Sequence, residues 1–336
     1  MAVLTSFLNE YRTLSVVGMA KNSGKTTTLN YLIEEAADEG IDLGITSTGR
    51  DGETQDLVTG TDKPKVYLYP ETFVSVPSSL YESASAGLEI LRMTKYHTSI
   101  GPVMICRVVD GGYVQVAGPV LTSEHRLMCD EMLSFGAKLI LIDGAIDRRS
   151  IAAPETSDAI ILATGAVLSR DIKRVAEETA HLAGLYGLPE ITDEHARSLF
   201  LGCDRLTIAG KSGAVGLDLK TGLDASSEID DAIGEDTKYV FIPGALTGSV
   251  VRNINPKKFE RVTFVLKDPT KIFLSLGEWQ RLRKRGFSAE VLKSIKIAAI
   301  SVNPVSPEGY SFEHEKLIDI MEKAVPHIKI IDVKLN

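Results

Sequence analysis

A glycine-containing loop that ends in lysine and threonine carries the clearest chemical signal in the sequence. It reads Gly18-Met-Ala-Lys-Asn-Ser-Gly-Lys-Thr26 and is followed by Thr27. Between a buried strand and a helix, such a loop surrounds phosphate oxygens with backbone N–H groups and the positive end of the helix. Lys25 would neutralise the β- and γ-phosphates, and the Thr26 hydroxyl would bind Mg²⁺. Gly24 would let the backbone approach the phosphate without a Cβ atom in the way.

The loop departs from the usual phosphate-binding pattern in its first glycine. In the usual pattern, four residues separate the first glycine from the Gly-Lys pair. Here five residues separate Gly18 from Gly24, and Met19 stands at the position of the first glycine. The alternative is an ordinary turn between a strand and a helix. The position of the loop, before a well-patterned helix, favours phosphate binding. The residues expected to contact a nucleotide are Lys21, Asn22, Ser23, Gly24, Lys25, Thr26 and Thr27, with Lys21 as a second positive charge.

An aspartate at the end of the most apolar run is the candidate metal ligand. Asp143 ends the run Lys138-Leu-Ile-Leu-Ile-Asp143, which is too short for a helix and predicts a buried central strand. An acidic residue at this place holds Mg²⁺ beside the loop threonine in phosphate-loop proteins. The alternative is an aspartate that only begins a turn. We expect Thr26 and Asp143 to be the metal ligands.

A third group of candidates follows the second strand, as Arg50-Asp51-Gly-Glu53. Ligands of open α/β sheets lie outside the carboxyl ends of the strands. Asp51 would position Mg²⁺ or the attacking group there, and Arg50 would contact phosphate. Solvated loop charges are the alternative. We expect Lys25 and Asp51 to be the catalytic residues.

The sequence specifies the nucleotide base poorly. No Asn-Lys-x-Asp motif, which reads guanine, follows any late strand, so ATP is favoured over GTP. Thr164-Gly165 would line a base pocket or form only a turn. Asn303-Pro-Val-Ser-Pro-Glu-Gly-Tyr310 also follows a buried strand, and its two prolines fix an extended loop. It is either a binding loop at the edge of the sheet or a rigid connection.

Hydrophobic periodicity predicts an α/β protein with a largely parallel sheet flanked by helices, similar to the P-loop NTPases. A strand over 14–18, a helix over 25–39 and a strand over 41–46 form the first β-loop-α-β unit. Residues 63–118 then read as a β-rich insertion or an antiparallel edge, with a short helix over 78–86. Asp110-Gly-Gly112 is typical of a hairpin turn.

The pattern predicts two domains, a nucleotide-binding domain over 1–200 and a second α/β domain over 201–336 that would either stand alone or extend the same sheet. Strands are expected at 239–242, 262–266, 298–302 and 328–333. Helices are expected at 276–284 and 314–324.

Composition excludes several classes of protein. The 336 residues are 44% hydrophobic and 24% charged, as in a globular protein, and the net charge of −8 argues against nucleic acid as a main partner. No segment is typical of a membrane span or a secretory leader. Three scattered cysteines indicate reduced buried thiols, and six histidines show no metal-binding spacing. We expect a cytoplasmic protein. The sequence does not decide whether it forms a homo-oligomer.

The loop also resembles two families. The segment Val16 to Leu29 is similar to the molybdopterin-guanine-dinucleotide accessory GTPases, but that similarity extends little further and the loop here is one residue longer. The second resemblance, to the P-loop subunit found with cobalamin-dependent lysine 5,6-aminomutase and ornithine aminomutase and identified as a reactivase component, spans most of the chain. Its motifs are the loop, Thr48-Gly-Arg-Asp-Gly-Glu53, Leu141-Ile-Asp-Gly144, Ile242-Pro-Gly-Ala-Leu-Thr247 and Asn303 to Tyr310.

That resemblance implies a partner ATPase of mismatch-repair-like type and the task of renewing damaged cobalamin on the aminomutase. Lys25, Thr26 and Asp143 would then bind nucleotide and metal. We expect a Mg-ATP-binding protein that drives a conformational change in a partner enzyme. The alternatives are an ATP-dependent small-molecule kinase or ligase of cofactor biosynthesis, and a regulatory subunit that binds nucleotide without hydrolysing it.

Overall fold

The computed structural model describes residues 3–48, 65–144, 155–218 and 226–333. The strands in these ranges are β1 Thr13–Gly18, β2 Leu43–Thr48, β3 Val66–Leu68, β4 Phe73–Pro77, β5 Gly87–Thr98, β6 Gly101–Asp110, β7 Gly112–Val114, β8 Leu139–Gly144, β9 Ala159–Gly165, β10 Thr207–Gly210, β11 Gly213–Gly216, β12 Thr237–Ile242, β13 Leu246–Thr247, β14 Thr263–Leu266, β15 Ile272–Phe273, β16 Ser288–Val291, β17 Ile297–Asn303 and β18 Lys329–Asp332.

The α-helices of the described residues are α1 Val3–Phe7, α2 Lys25–Asp38, α3 Thr122–Ser134, α4 Ile172–Tyr186, α5 Glu194–Leu201, α6 Ser226–Ala232, α7 Gly248–Val251, α8 Pro256–Phe259, α9 Leu276–Lys284 and α10 His314–Ala324. Short 3₁₀ helices occupy Ser78–Ser83, Ala166–Leu168 and Pro269–Lys271. Among the described residues, no helix combines the length and apolar character that crossing a membrane would require.

The chain has a mixed α/β fold built around a large, mostly parallel sheet. Its nine described strands lie in the order β18-β17-β9-β1-β8-β2-β4-β6-β5. All neighbouring pairs from β18 to β4 are parallel, and β6 is antiparallel to both β4 and β5. The predicted largely parallel sheet is therefore confirmed. Because β1 is central and its neighbours are parallel, the carboxyl ends of β1, β8 and β9 meet at one edge.

Helices cover both faces of this sheet because strand side chains alternate between them. Leu139 and Leu141 of β8 pack in one hydrophobic cluster with Leu29 and Leu32 of α2. Ile140 and Ile142 pack in another cluster with residues of α3. Strands that are buried on both faces read as continuous apolar runs, which is why the sequence signal at β8 was clear.

The segment after β2 forms the antiparallel edge of the large sheet, one of the two arrangements expected for it. The predicted hairpin at Asp110-Gly-Gly112 is wrong, since β7 pairs with β3 and not with β6. A Cβ atom on Gly112 would lie 2.5 Å from the backbone nitrogen of Ala86, so this glycine permits close packing of two chain segments. The short helix expected over 78–86 is the 3₁₀ helix Ser78–Ser83.

The chain divides into two compact units, of which unit 1 contains Met1–Thr179 and Lys296–Asn336 and unit 2 contains Ala180–Ile295. The sequence placed one boundary near residue 200 and everything after it in the second domain. In the structure β17 pairs with β9, and β18 pairs with β17, so the last two strands extend the large sheet.

Unit 2 has its own five-stranded sheet, in the order β11-β10-β12-β14-β16. The three strands β12, β14 and β16 are parallel, whereas β10 is antiparallel to its neighbours. Its two faces are covered by separate hydrophobic clusters. Unit 2 is thus an α/β unit with an independent core.

Candidate functional site

The glycine–lysine loop, residues 18–26, joins the central strand β1 to α2 at the carboxyl edge of the large sheet. The six residues of β1 are all buried. The buried face of α2 consists of Thr28, Leu29, Leu32, Ile33 and Ala36. Packing of both elements fixes the two ends of the loop, so the loop has a defined position at the centre of the sheet edge.

Two residues of the loop adopt the left-handed conformation. Asn22 has φ 64° and Gly24 has φ 98°. Asparagine and glycine are the residues that accept such angles most readily. Left-handed residues within a loop can turn successive backbone N–H groups toward one concave side, which suits an anion. The positive φ also gives Gly24 a reason to be glycine that the sequence pattern alone did not supply.

The start of α2 presents unsatisfied hydrogen-bond donors. Its N-cap residue, Gly24, has no side chain to cap the helix. The first backbone N–H with an acceptor is that of Thr28, which donates to the Gly24 carbonyl at 2.8 Å. Within the described part of the chain, the N–H groups of Lys25, Thr26 and Thr27 donate no hydrogen bond. These groups and the helix dipole favour an anion at this position.

Lys25, the first residue of α2, forms an ion pair with Asp143 near the end of β8. The Lys25 ammonium donates to Asp143 Oδ1, with the two side chains 14% and 31% exposed. Register explains the contact, because Val16 of β1 is paired with Asp143 of β8. The sequence predicted both residues as site residues, and the structure brings them together.

Ser23 contributes a buried hydroxyl group inside the loop. The residue is 1% exposed, and its Oγ has no hydrogen-bond partner among the described residues. A Cβ atom on Gly18 would lie 2.6 Å from this Oγ, so the hydroxyl is turned back over the first residue of the loop. A buried hydroxyl without a partner is costly, and a ligand oxygen in the loop would give it one.

The remaining predicted residues divide into two groups. Lys21, Asn22 and Thr26 are exposed, and Thr27 is partly exposed at the start of α2. Asp51, with its neighbours Arg50 and Glu53, lies outside the described residues, so its predicted catalytic role stays a prediction. The exposed Thr26 hydroxyl and the Asp143 carboxylate are both hard oxygen donors, which is the ligand type that Mg²⁺ prefers.

Asn303 is a part of the site that sequence reasoning left undecided. Its Nδ2 donates to the Asn22 carbonyl at 3.3 Å. A Cβ atom on Gly24 would lie 2.9 Å from Asn303 Cβ, so the end of β17 packs directly against the loop. The signal in the sequence was an asparagine at the end of a buried strand, but only the sheet order shows which loop it reaches.

Other candidate chemistries have no support in the described residues. They contain no group of three or more His, Cys, Asp or Glu side chains that could hold a metal ion. Burial raises the pKa of the Cys106 and Cys129 thiols to about 12, so neither is a nucleophile at neutral pH.

Comparison with known proteins yields no similarity from which a family could be assigned. No family model matches the chain, and neither a curated protein nor a solved structure is significantly similar to it. The function of the chain therefore has to be argued from the geometry of the loop and of its surroundings.

Proposed function

We propose that the chain is a P-loop protein that binds Mg-ATP in the glycine–lysine loop. The observation that carries this proposal is the meeting of Lys25, Asp143 and the uncapped start of α2 at one point of the sheet edge. A lysine, an array of backbone donors and a carboxylate on the adjacent parallel strand are the parts needed to hold phosphates and a metal.

A P-loop NTPase fold is the finer fold assignment that this arrangement supports. The loop follows the central strand of a parallel sheet, and the strand that carries the acidic residue is its immediate neighbour. In the order β2-β8-β1-β9-β17, the strands on both sides of β1 are parallel to it, so their carboxyl ends lie at the same edge of the sheet as the loop. A nucleotide bound at the loop could therefore extend along the carboxyl ends of several strands.

The Lys25–Asp143 ion pair would break when nucleotide binds. Lys25 would leave the carboxylate and turn its ammonium group to the β- and γ-phosphates. Asp143 would then be free to act with the Thr26 hydroxyl as an oxygen ligand. A bound Mg²⁺ supplies charge neutralisation between the phosphates, and the backbone N–H groups of Lys25, Thr26 and Thr27 would hold the remaining phosphate oxygens.

We further propose that ATP hydrolysis drives a conformational change in a partner enzyme. The partner proposed from the sequence resemblance is a cobalamin-dependent aminomutase together with a second ATPase. Two of the motifs that carry this resemblance lie at the ends of strands: Asn303 to Tyr310 begins at the end of β17 beside the glycine–lysine loop, and Ile242 to Thr247 begins at the end of β12 in unit 2. Both segments thus follow the carboxyl ends of parallel strands, where ligand-binding loops are usual.

A calorimetric titration of Mg-ATP into the wild-type chain and Lys25→Ala tests the binding site. We expect the variant to bind on the order of 100-fold more weakly, because it lacks the charge-assisted hydrogen bonds to phosphate. Lys284→Ala, which removes an exposed lysine at the end of α9, is the matched control and should bind like wild type. Unchanged ATP affinity in Lys25→Ala would refute the site.

The partner proposal has a separate test in a steady-state assay of ADP release. We expect release to rise when a cobalamin-dependent aminomutase complex holding inactive cofactor is added. Release that requires only a small-molecule acceptor would indicate a kinase or ligase instead. Tight ATP binding with no release under either condition would indicate a regulatory subunit.

A further inference from the structure

The chain between β17 and α10 forms a compact hairpin beside the glycine–lysine loop. Val305 and Ser311 form an antiparallel bridge. The Ser306 N–H donates to the Tyr310 carbonyl at 2.9 Å, and the Phe312 N–H donates to the Pro304 carbonyl at 2.9 Å. These bonds give residues 303–312, here called the β17 hairpin, a fixed shape.

The β17 hairpin is attached both to the glycine–lysine loop and to the chain after β9. Asn303 reaches the Asn22 carbonyl, and in the sheet it is paired with Gly165. The Tyr310 hydroxyl donates to the carbonyl of Ala166, the residue that follows β9. The hairpin therefore lies on the β9 side of β1, whereas Asp143 lies on the β8 side.

One aromatic side chain of the hairpin is stacked with an arginine. The Arg170 guanidinium carbon lies 5.2 Å from the ring centroid of Tyr310. Its Nη2 is 3.4 Å from Glu308 Oε2, and the Arg170 side chain is 75% exposed. An arginine plane held over a tyrosine ring, with most of its surface open to solvent, offers a flat face for a further ring.

We propose that the Tyr310–Arg170 stack receives the base of the bound nucleotide and that Asn303 positions this stack relative to the loop. The inference rests on the proposed function. With the metal and terminal phosphates directed toward Asp143, the nucleoside end of the nucleotide extends to the opposite side of β1, where the β17 hairpin lies.

The chemistry of the stack also indicates which nucleotides would bind. Stacking contacts the π face of a base and tolerates every base, since it does not read the hydrogen-bonding edge. Among the described residues, the carboxylate that contacts the stack is that of Glu308, and it is paired with Arg170. We therefore expect ATP and GTP to bind with affinities within about tenfold of each other.

The test compares ATP with inorganic tripolyphosphate, which has the phosphates but no base, by calorimetry with Mg²⁺ present. In Arg170→Ala and Tyr310→Leu, the affinity for ATP should fall about tenfold, as expected for a lost stacking contact. The affinity for tripolyphosphate should stay within about twofold of wild type. Arg174→Ala, which removes another exposed arginine near the start of α4, is the control and should change neither affinity.

Several outcomes would overturn the inference while leaving the proposed function intact. They are unchanged ATP affinity in both variants, an equal loss for ATP and tripolyphosphate, and equal affinities of the wild-type chain for the two ligands. If Tyr310→Leu does not fold, Arg170→Ala alone decides between these results. Wild-type protein that binds neither ligand would instead refute the nucleotide site itself, and the base contact with it.

Discussion

Two helices of the molecule begin in opposite ways, α2 in unit 1 and α9 in unit 2. At α9 the Ser275 hydroxyl accepts a hydrogen bond from the Glu278 N–H at 3.4 Å, and the Glu278 carboxylate accepts the Ser275 N–H at 2.9 Å. This capping box satisfies the start of the helix within the chain. At α2 a glycine occupies the N-cap, and no side chain caps the helix.

Two aspartates at opposite edges of the large sheet also differ in how far their hydrogen bonds are completed within the chain. Asp158, at the amino edge, accepts hydrogen bonds from Arg126 and from the backbone N–H groups of Arg12 and Thr13. The carboxylate of Asp143, at the carboxyl edge, has one partner among the described residues, Lys25. Groups whose hydrogen bonds are completed within the chain stabilise the fold, whereas groups left open at one place indicate a ligand.

The largest effect on stability is expected at Asp158. Asp158→Asn removes the charge that Arg126 and two backbone N–H groups share, and should lower the free energy of unfolding of unit 1 by about 2 kcal/mol at pH 7. Urea denaturation measures this loss. Asp319→Asn, which breaks only an exposed pair with Lys323, is the control and should cost well under about 1 kcal/mol.

The effect of Asp158→Asn on stability should also depend on pH. Burial acts to raise the pKa of Asp158, but the hydrogen bonds from Arg126, Arg12 and Thr13 outweigh burial and hold that pKa below its usual value. A lowered pKa contributes stability above the pKa of the unfolded chain, about 3.9, and this stability is lost as the pH falls toward the folded pKa. The difference in the free energy of unfolding between wild type and Asp158→Asn should therefore become smaller below about pH 4. If this difference did not change with pH, the lowered pKa of Asp158 would be contradicted.

Asp143→Asn should change nucleotide binding with little change in stability. Without the carboxylate, Lys25 is no longer held and the repulsion of phosphate is reduced, so Mg²⁺-free ATP should bind about tenfold more tightly than to wild type. The gain in affinity that Mg²⁺ gives to wild type should largely disappear. Titrations of ATP in EDTA and in Mg²⁺ measure both effects. Weaker binding of Mg²⁺-free ATP would show that Asp143 does not restrain Lys25.

The smallest of these effects is expected at the capped helix. Ser275→Ala removes the cap of α9 and should lower the free energy of unfolding by about 1 kcal/mol, measured by urea denaturation. ATP affinity should stay at the wild-type value, because this cap serves the fold of unit 2 alone. A loss of ATP binding in this variant would mean that the contrast between the two helix starts does not separate structure from function.

Local sequence signals predicted individual elements well. The helices at 276–284 and 314–324 have the predicted bounds, and β8 lies where the continuous apolar run placed it. The ion pair between Lys25 and Asp143 was not predicted; the sequence placed both residues at the carboxyl edge of the sheet, where the ends of adjacent parallel strands meet. Periodicity and turn chemistry act over a few residues, so these features could be derived without tertiary information.

The features that were missed depend on contacts between distant parts of the chain. No local pattern shows that β17 pairs with β9, since both are apolar runs that would fit several sheet positions. The same long-range pairing brings Asn303 to the Asn22 carbonyl. The Gly111-Gly112 pair suggested a turn, whereas Gly112 is needed for close packing against Ala86.

A crystal structure with Mg²⁺ and a non-hydrolysable ATP analogue would test the central claim most directly. We expect phosphate oxygens on the backbone N–H groups of Lys25, Thr26 and Thr27, with the Lys25 ammonium moved from Asp143 to the phosphates. A structure at saturating analogue in which Lys25 remains on Asp143 and no phosphate lies at the start of α2 would contradict it.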